Sequence, residues 1–319
     1  MLFTWSSFFK KPWNPDGKHC YVTGGSAGLG LALAKLLVTK GAHVSIVARD
    51  QGRLDKSLEE MEALRVSPSQ ILQAKSADLF SASHAKEALE HVCQAHDGQA
   101  PDAVFSCAGS SKPMWFVEMT EQDLKEGMDY GYWVQAWTVY AATKMMVRQG
   151  KKGAKICMVC SMLGYMSFAG YASYAPPKHA LRGLADTLQS ELMLYDIGVQ
   201  IFFPPTIYSP GYENENKSKP DVVKEIEGTD DGLTPDQAAV GMLKGFARGD
   251  HHISADLLTD LFRAGTRGSA PRVNFIVEAV YDFISYVGTP IWRRGVDAAI
   301  RGHARAHHQY LEDRGFFKI

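Results

Sequence analysis

The stretch HCYVTGGSAGLG, residues 19–30, decides the fold. Its first half is apolar and β-branched, the composition of a buried strand. Its second half is a run of small residues from Thr23 to Gly30. Beyond it Leu29, Leu33, Leu36 and Leu37 recur at helical spacing, and Gly41 closes the helix. A glycine pattern alone means little, but one set between a strand and a helix has a physical purpose. Small residues let the backbone approach a pyrophosphate, while the helix N-terminus supplies free N–H groups and a positive dipole end. Gly24, Ser26, Ala27, Gly28, Leu29 and Gly30 are therefore candidate coenzyme contacts. The alternative is a purely structural tight turn.

Working outward, strand-like and helix-like runs alternate. Strands are expected at 19–24, 43–48, 71–79, 102–109, 155–161 and 199–205. A polar helix with Leu54, Leu58 and Met61 follows the second strand, and a long helix covers about 121–149. From Lys178 the stripe Leu181, Leu184, Leu188 and Leu192 marks another helix, ending near Gly198. Unbroken apolar strands alternating with helices mean a parallel sheet covered on both faces. With the glycine turn, this is a doubly wound α/β fold of the Rossmann type. The polar stretch 212–235 is too long for a plain connection, and its place after the sixth strand suggests a substrate lid.

The bulk numbers agree with an enzyme-like globular chain. Of 319 residues, 45% are hydrophobic and 22% charged. The net charge of −1 gives no reason to expect nucleic acid as a partner. Five scattered cysteines argue against a disulfide framework. Cys157 and Cys160 form a C-x-x-C, but on a strand an offset of three points them to opposite faces. The pairs His251/His252 and His307/His308 are adjacent rather than one turn apart. No accompanying ligands are evident, so they read as surface or packing residues and no metal is expected.

The end of the second strand selects the coenzyme. An acid there would bind a ribose 2′-hydroxyl and favour NAD, and Asp50 has that claim. However, the strand ends at Ala48 and Arg49, and Asp50 suits the cap of the next helix. Arg49 can grip a 2′-phosphate with its planar donors, and Arg53 lies one turn further. NADPH is the expected coenzyme. Asp78 and Leu79, ending the third strand, would meet the adenine. Ala108 and Gly109, ending the fourth, would let the backbone pass beside the coenzyme.

Tyr174 and Lys178 carry the chemistry. A free tyrosine titrates near ~10. A lysine one helical turn away stabilises the phenolate and brings that value toward working pH. Ser161, ending the fifth strand, can hold a carbonyl oxygen. Pro176 and Pro177 stand between Tyr174 and Lys178. Proline is tolerated only in a helix's first turn, where N–H groups have no intrahelical partner. The helix must therefore begin at about Tyr174, with Ser173 as the expected N-cap.

Together TGGSAGLG, the CAG of 107–109, Ser161 and the Tyr174-x-x-x-Lys178 pair resemble the short-chain dehydrogenase/reductases, over roughly residues 17–255. The resemblance implies that Tyr174 is the general acid and Ser161 orients the carbonyl. It implies that Lys178 lowers the pKa of Tyr174 and, with Tyr174, contacts the nicotinamide ribose. Asp129 stands where the family usually has an asparagine in a water-mediated proton relay ending at the lysine. Ser106 likewise stands where asparagine is common. KHALRGLADTLQSEL (178–192) and FFPPTIYSPGYENENKSKP (202–220) are similar to one branch of the family, marked by Pro204-Pro205 and then Ser209-Pro210-Gly211. That branch reduces a long-chain sphingoid ketone, 3-ketodihydrosphingosine, with NADPH at the endoplasmic reticulum membrane, its catalytic domain facing the cytosol. It also implies Pro205, Ile207 and Ser209 beside the coenzyme. A reductase of a 3-ketoacyl or steroid ketone, and a non-catalytic NADPH-binding scaffold, are the rival readings.

FIVEAVYDFISYVGTPIW (275–292) is the most apolar stretch. A span needs about 20 apolar residues, and an acid at mid-bilayer costs about 2.5 kcal/mol or more. Glu278 and Asp282 make a re-entrant or interfacial helix, or a subunit contact, the expectation. Packing on the catalytic domain is the alternative. A homo-oligomer and contact with membrane lipid are expected. The N-terminus lacks the apolar core and cleavage site of a secretory leader. Phe3, Trp5, Phe8, Phe9 and Trp13 would serve as interfacial anchors or as a packed tail. The organisation is an amphipathic tail (1–16), a catalytic domain (17–260) and a C-terminal membrane-associating or oligomerising segment (261–319).

Overall fold

The computed structural model describes residues 12–228 and 232–317. Its seven strands form one parallel sheet in the order β3-β2-β1-β4-β5-β6-β7. These are β1 (His19–Thr23), β2 (His43–Ala48), β3 (Leu72–Ser76), β4 (Ala103–Ser106), β5 (Lys155–Val159), β6 (Gly198–Phe202) and β7 (His252–Ile253). Six fall within or beside the expected runs, with β3 and β4 shorter than expected. The seventh is too short for a period of two to show.

The twelve α-helices among the described residues begin with α1 (Gly28–Val38), α2 (Gln51–Glu62), α3 (Ala82–Cys93), α4 (Glu121–Met128) and α5 (Val134–Arg148). They continue with α6 (Ala175–Glu191), α7 (Pro210–Glu215), α8 (Asp221–Glu227) and α9 (Pro235–Arg248). The chain closes with α10 (Leu257–Thr266), α11 (Phe275–Gly302) and α12 (Ala304–Asp313). Two apolar cores flank the sheet. One holds Leu33, Leu37 and Leu54 with Met242 and Phe246 of α9. The other holds Leu89, Val139, Met146, Leu181 and Ala185. Cys157 belongs to the first and Cys160 to the second, so the two sulfurs do lie on opposite faces.

The stretch 212–235, too long for a plain connection, carries α7 across its start and α8 within it. Two expectations need correction. The helix read over 121–149 is interrupted by a π-turn at Asp129–Trp133 that joins α4 to α5. Lastly, His251 and His252 are buried, and Asp186 Oδ1 lies 2.8 Å and 2.7 Å from their Nε2 atoms. These three side chains could hold a metal ion, contrary to the reading that no ligand accompanies the pair. Arg182, 3.8 Å from the other side of the Asp186 carboxylate, already supplies a cation there.

The C-terminal helices pack through one buried anion. Glu278 on α11 is 1% exposed and meets Arg263 at 2.6 Å and Arg267 at 2.9 Å. It also accepts the Val273 N–H at 2.8 Å. Burial alone would raise this carboxyl. Its hydrogen bonds to Arg263, Val273 and Arg267 outweigh that and hold it below its ordinary value. Trp13 packs edge-on against Phe246, as a packed tail would; Phe3, Trp5, Phe8 and Phe9 lie outside the described residues.

Candidate active site

A cleft of about 480 Å3 opens along the carboxyl ends of the strands. Ligands of open α/β sheets bind there. The glycine turn forms one end. Gly24 has φ +69°, and a Cβ on it would meet the Ala108 backbone at 2.9 Å. This close passage of two backbones needs glycine. Ala27 caps α1 without a side-chain hydrogen bond, and the first turn of α1 carries no acid. The N–H groups of that turn are therefore open to an anion.

At the end of β2, Asp50 is occupied as a cap. Its carboxylate accepts the Arg53 N–H at 3.0 Å and lies 3.6 Å from the Arg53 side chain. Arg49 lies 5.6 Å from the Phe80 ring centroid and donates to the Tyr130 hydroxyl at 3.2 Å. Arg49, Arg53, Asp78 and Leu79 all line the cleft, as do Ala108, Gly109, Pro205, Ile207 and Ser209.

At the other end stand Ser161, Tyr174 and Lys178. Helix α6 begins at Ala175, and Tyr174 rather than Ser173 is its N-cap. The Ser173 hydroxyl instead donates to the Lys112 carbonyl at 3.4 Å. Pro176 and Pro177 are the second and third helical residues. The Lys178 N–H is the first after them to find an intrahelical partner, the Tyr174 carbonyl at 3.3 Å. The prolines thus fill positions whose N–H groups would be orphans anyway. The Lys178 ammonium is buried, lies 5.3 Å from the Tyr174 ring centroid and donates to the Val159 carbonyl at 3.1 Å. Burial lowers the Lys178 pKa.

Burial pushes the Tyr174 phenol up, and the nearby Glu215 carboxylate pushes it further, against the downward pull expected of Lys178. The Ser161 hydroxyl, by hydrogen bonding, works in the opposite sense to burial.

A model of the short chain dehydrogenases matches residues 18–220. The chain belongs to the short chain dehydrogenase family. A 3-ketodihydrosphingosine reductase of Cryptococcus neoformans var. neoformans serotype D is 45% identical, over 97% of this chain and 92% of its own. A 3-dehydrosphinganine reductase of Danio rerio is 31% identical, over 86% and 82%. Among solved structures, a short-chain type dehydrogenase/reductase from Mycobacterium marinum is similar with a TM-score of 0.67 and 20% identity. It covers 76% of this chain and 95% of its own, a likeness of fold.

A short chain dehydrogenase uses a nicotinamide coenzyme, and the bare helix start and glycine crossing described above fit its pyrophosphate. Asp129 is the sequence assignment that the structure does not bring to the cleft. It is absent from the lining, and its carboxylate makes no hydrogen bond or ion pair with a described residue. The π-turn inserts an extra residue into the helical register. As a result Tyr130, Val134 and Gln135 face the cleft instead. Gln135 was not anticipated. It is buried, donates to the Val159 carbonyl at 2.7 Å and accepts the Val159 N–H at 3.0 Å. Gln135 and Lys178 thus share one carbonyl. Also unanticipated are Tyr171, Glu215 and Glu227, which complete the lining beside Tyr174. Helix α8 shares an apolar cluster with Leu163 and Tyr171 of the cleft and with Ala299 and Ile300 of α11.

Proposed function

We propose that this chain reduces the ketone of 3-ketodihydrosphingosine to the alcohol of dihydrosphingosine, using NADPH, at the endoplasmic reticulum membrane. The observation that carries the substrate is the similarity to a 3-ketodihydrosphingosine reductase over 97% of the chain, well beyond the 18–220 covered by the family model. Arg49 and Arg53, with Asp50 occupied as a helix cap, support NADPH over NADH. The reduced coenzyme supplies hydride to the carbonyl carbon when bound. Tyr174 gives its hydroxyl proton to the carbonyl oxygen as negative charge develops there. Ser161 holds that oxygen, and the Lys178 ammonium stabilises the phenolate left behind. Gln135 fixes the Val159 carbonyl that orients Lys178.

The membrane part of the reading rests on α11. Ile276, Val280, Phe283, Val287 and Ile291 are exposed and spaced three or four apart, forming an apolar stripe. Glu278 is buried against α10, so the stripe is free of its charge. Among the described residues no helix is long and apolar enough to cross a membrane. An amphipathic helix lying in the interface fits these facts. Arg293 and Arg294, which follow the stripe, suit a cytosolic headgroup region and support a catalytic domain facing the cytosol.

Coenzyme oxidation with detergent-dispersed sphingoid, 3-ketoacyl and steroid ketones tests the function. Turnover is expected with the sphingoid ketone and NADPH. Oxidation only with an acyl or steroid ketone overturns the substrate, and oxidation with none favours the binding scaffold.

A further inference from the structure

The lid carries two carboxylates into the cleft. Glu215 ends α7, Glu227 ends α8, and both line the cavity together with Tyr174. The Tyr171 hydroxyl bridges them, 2.8 Å from Glu215 Oε1 and in contact with Glu227 Oε1. Lys219, only 1% exposed, reaches Glu215 Oε1 at 3.0 Å and Glu227 Oε2. Two carboxylates and one ammonium leave one negative charge over. Glu215 Oε2 has no hydrogen-bond partner among the described residues, although the side chain is only 17% exposed. The Tyr171 ring centroid is 6.0 Å from that of Tyr174, so the surplus charge sits beside the proton donor. The same lining holds Ser111, whose hydroxyl is buried with no partner among the described residues. The surplus charge suits a cationic ligand group, and the unpartnered hydroxyl suits a polar one.

We propose that Glu215 and Glu227 form a subsite for an ammonium group carried next to the reacting carbonyl, so that the enzyme prefers protonated amino ketones to neutral ketones of equal length. This rests on the ketone-reductase reading above. The ketone named there bears its amine on the carbon adjoining the carbonyl and a hydroxyl one carbon further, which suits Ser111. The bound ammonium supplies the missing positive charge. It also removes the unfavourable influence of Glu215 on the Tyr174 phenol, so the substrate strengthens the acid that protonates its carbonyl oxygen. A neutral ketone leaves that influence in place, and loses rate as well as binding.

The test compares two long-chain ketones with NADPH in detergent: the 2-amino-1-hydroxy-3-ketone and the same chain lacking the amine. The wild type is expected to favour the amine in kcat/KM by about tenfold or more, as a charge-assisted hydrogen bond carries. Glu215→Gln keeps the side chain's shape and is expected to bring that ratio close to one, chiefly by slowing the amino ketone. NADPH binding by fluorescence confirms that the variant is folded. If Glu215→Gln fails to bind NADPH, Glu227→Gln is read by the same ratio. A folded variant that keeps the wild-type ratio overturns the subsite. A wild type that reduces both ketones equally also overturns it while leaving the reductase reading intact. A wild type that reduces neither overturns that reading itself.

Discussion

Pro177 packs directly on Gly131: a Cβ on the glycine would lie 2.7 Å from the Pro177 Cβ and Cγ. The π-turn of α4–α5 and the first turn of α6 therefore fit only because one residue lacks a side chain and the other has a rigid ring. Gly131→Ala is expected to destabilise the fold by about 1–3 kcal/mol through overpacking and to misplace the Tyr174–Lys178 pair. Pro177→Gly, which removes both of the atoms that the new methyl would meet, should relieve the clash. In a double-mutant cycle by thermal denaturation, a coupling near zero would contradict the contact.

Tyr174→Phe removes the proton donor and leaves the ring. The expected result is a fall in kcat of about a hundredfold or more, with NADPH affinity by fluorescence close to wild type. Turnover near wild type would remove Tyr174 from the chemistry.

Arg49→Ala is expected to raise the KM for NADPH by about tenfold or more while changing that for NADH little, the loss of a charge-assisted phosphate contact. Equal effects on the two coenzymes would overturn the choice of NADPH.

Glu278 links α10 and α11, and its carboxyl titrates below the ordinary value of 4.5 in the folded chain. The stabilisation it gives is therefore complete above pH 4.5 and is lost as pH falls through the folded-state value. Glu278→Ala, leaving half-buried Arg267 without its anion and buried Arg263 with Asp260 alone, is expected to cost about 3 kcal/mol. Its melting temperature should also fall less steeply with acid pH than the wild type's, the remainder coming from other depressed carboxyls such as Asp102, Asp123 and Asp186. A variant that melts like the wild type at neutral pH would argue against the clamp.

Ile276→Glu combined with Phe283→Glu is expected to weaken sedimentation with phosphatidylcholine–phosphatidylethanolamine vesicles by about tenfold or more, since each buried apolar side chain contributes roughly 1.5–3 kcal/mol. If vesicle binding is unchanged but the variant's particle has half the wild-type mass, the stripe is a subunit interface instead.

The parts of the fold carried by local chemistry were readable before the structure. The β1 run, the glycine turn and the leucine spacing of α1 each state their conformation alone. Tyr174, Lys178 and Ser161 were readable for the same reason, because the chemistry fixes their residue types. Helix α3 was missed because its buried face is largely alanine, with Ala85 and Ala88 beside Leu89 and Val92, set among histidine and glutamate. Asp129 lies on a π-turn and does not line the cleft, and nothing in residue spacing announces such a turn. Glu215, Lys219 and Glu227 were hidden in a polar run that reads as solvated surface. Their meaning depends on Tyr171, more than forty positions away from Glu215.

Helix α8 has a consequence beyond chemistry. It carries Glu227 at its end while resting on Ala299 and Ile300 of α11, the helix that presents the apolar stripe. Widening the cleft at Glu227 must either drag α11 along or shear that seat. Admission of the substrate and the seating of the C-terminal helix on α8 are thus geared to one another.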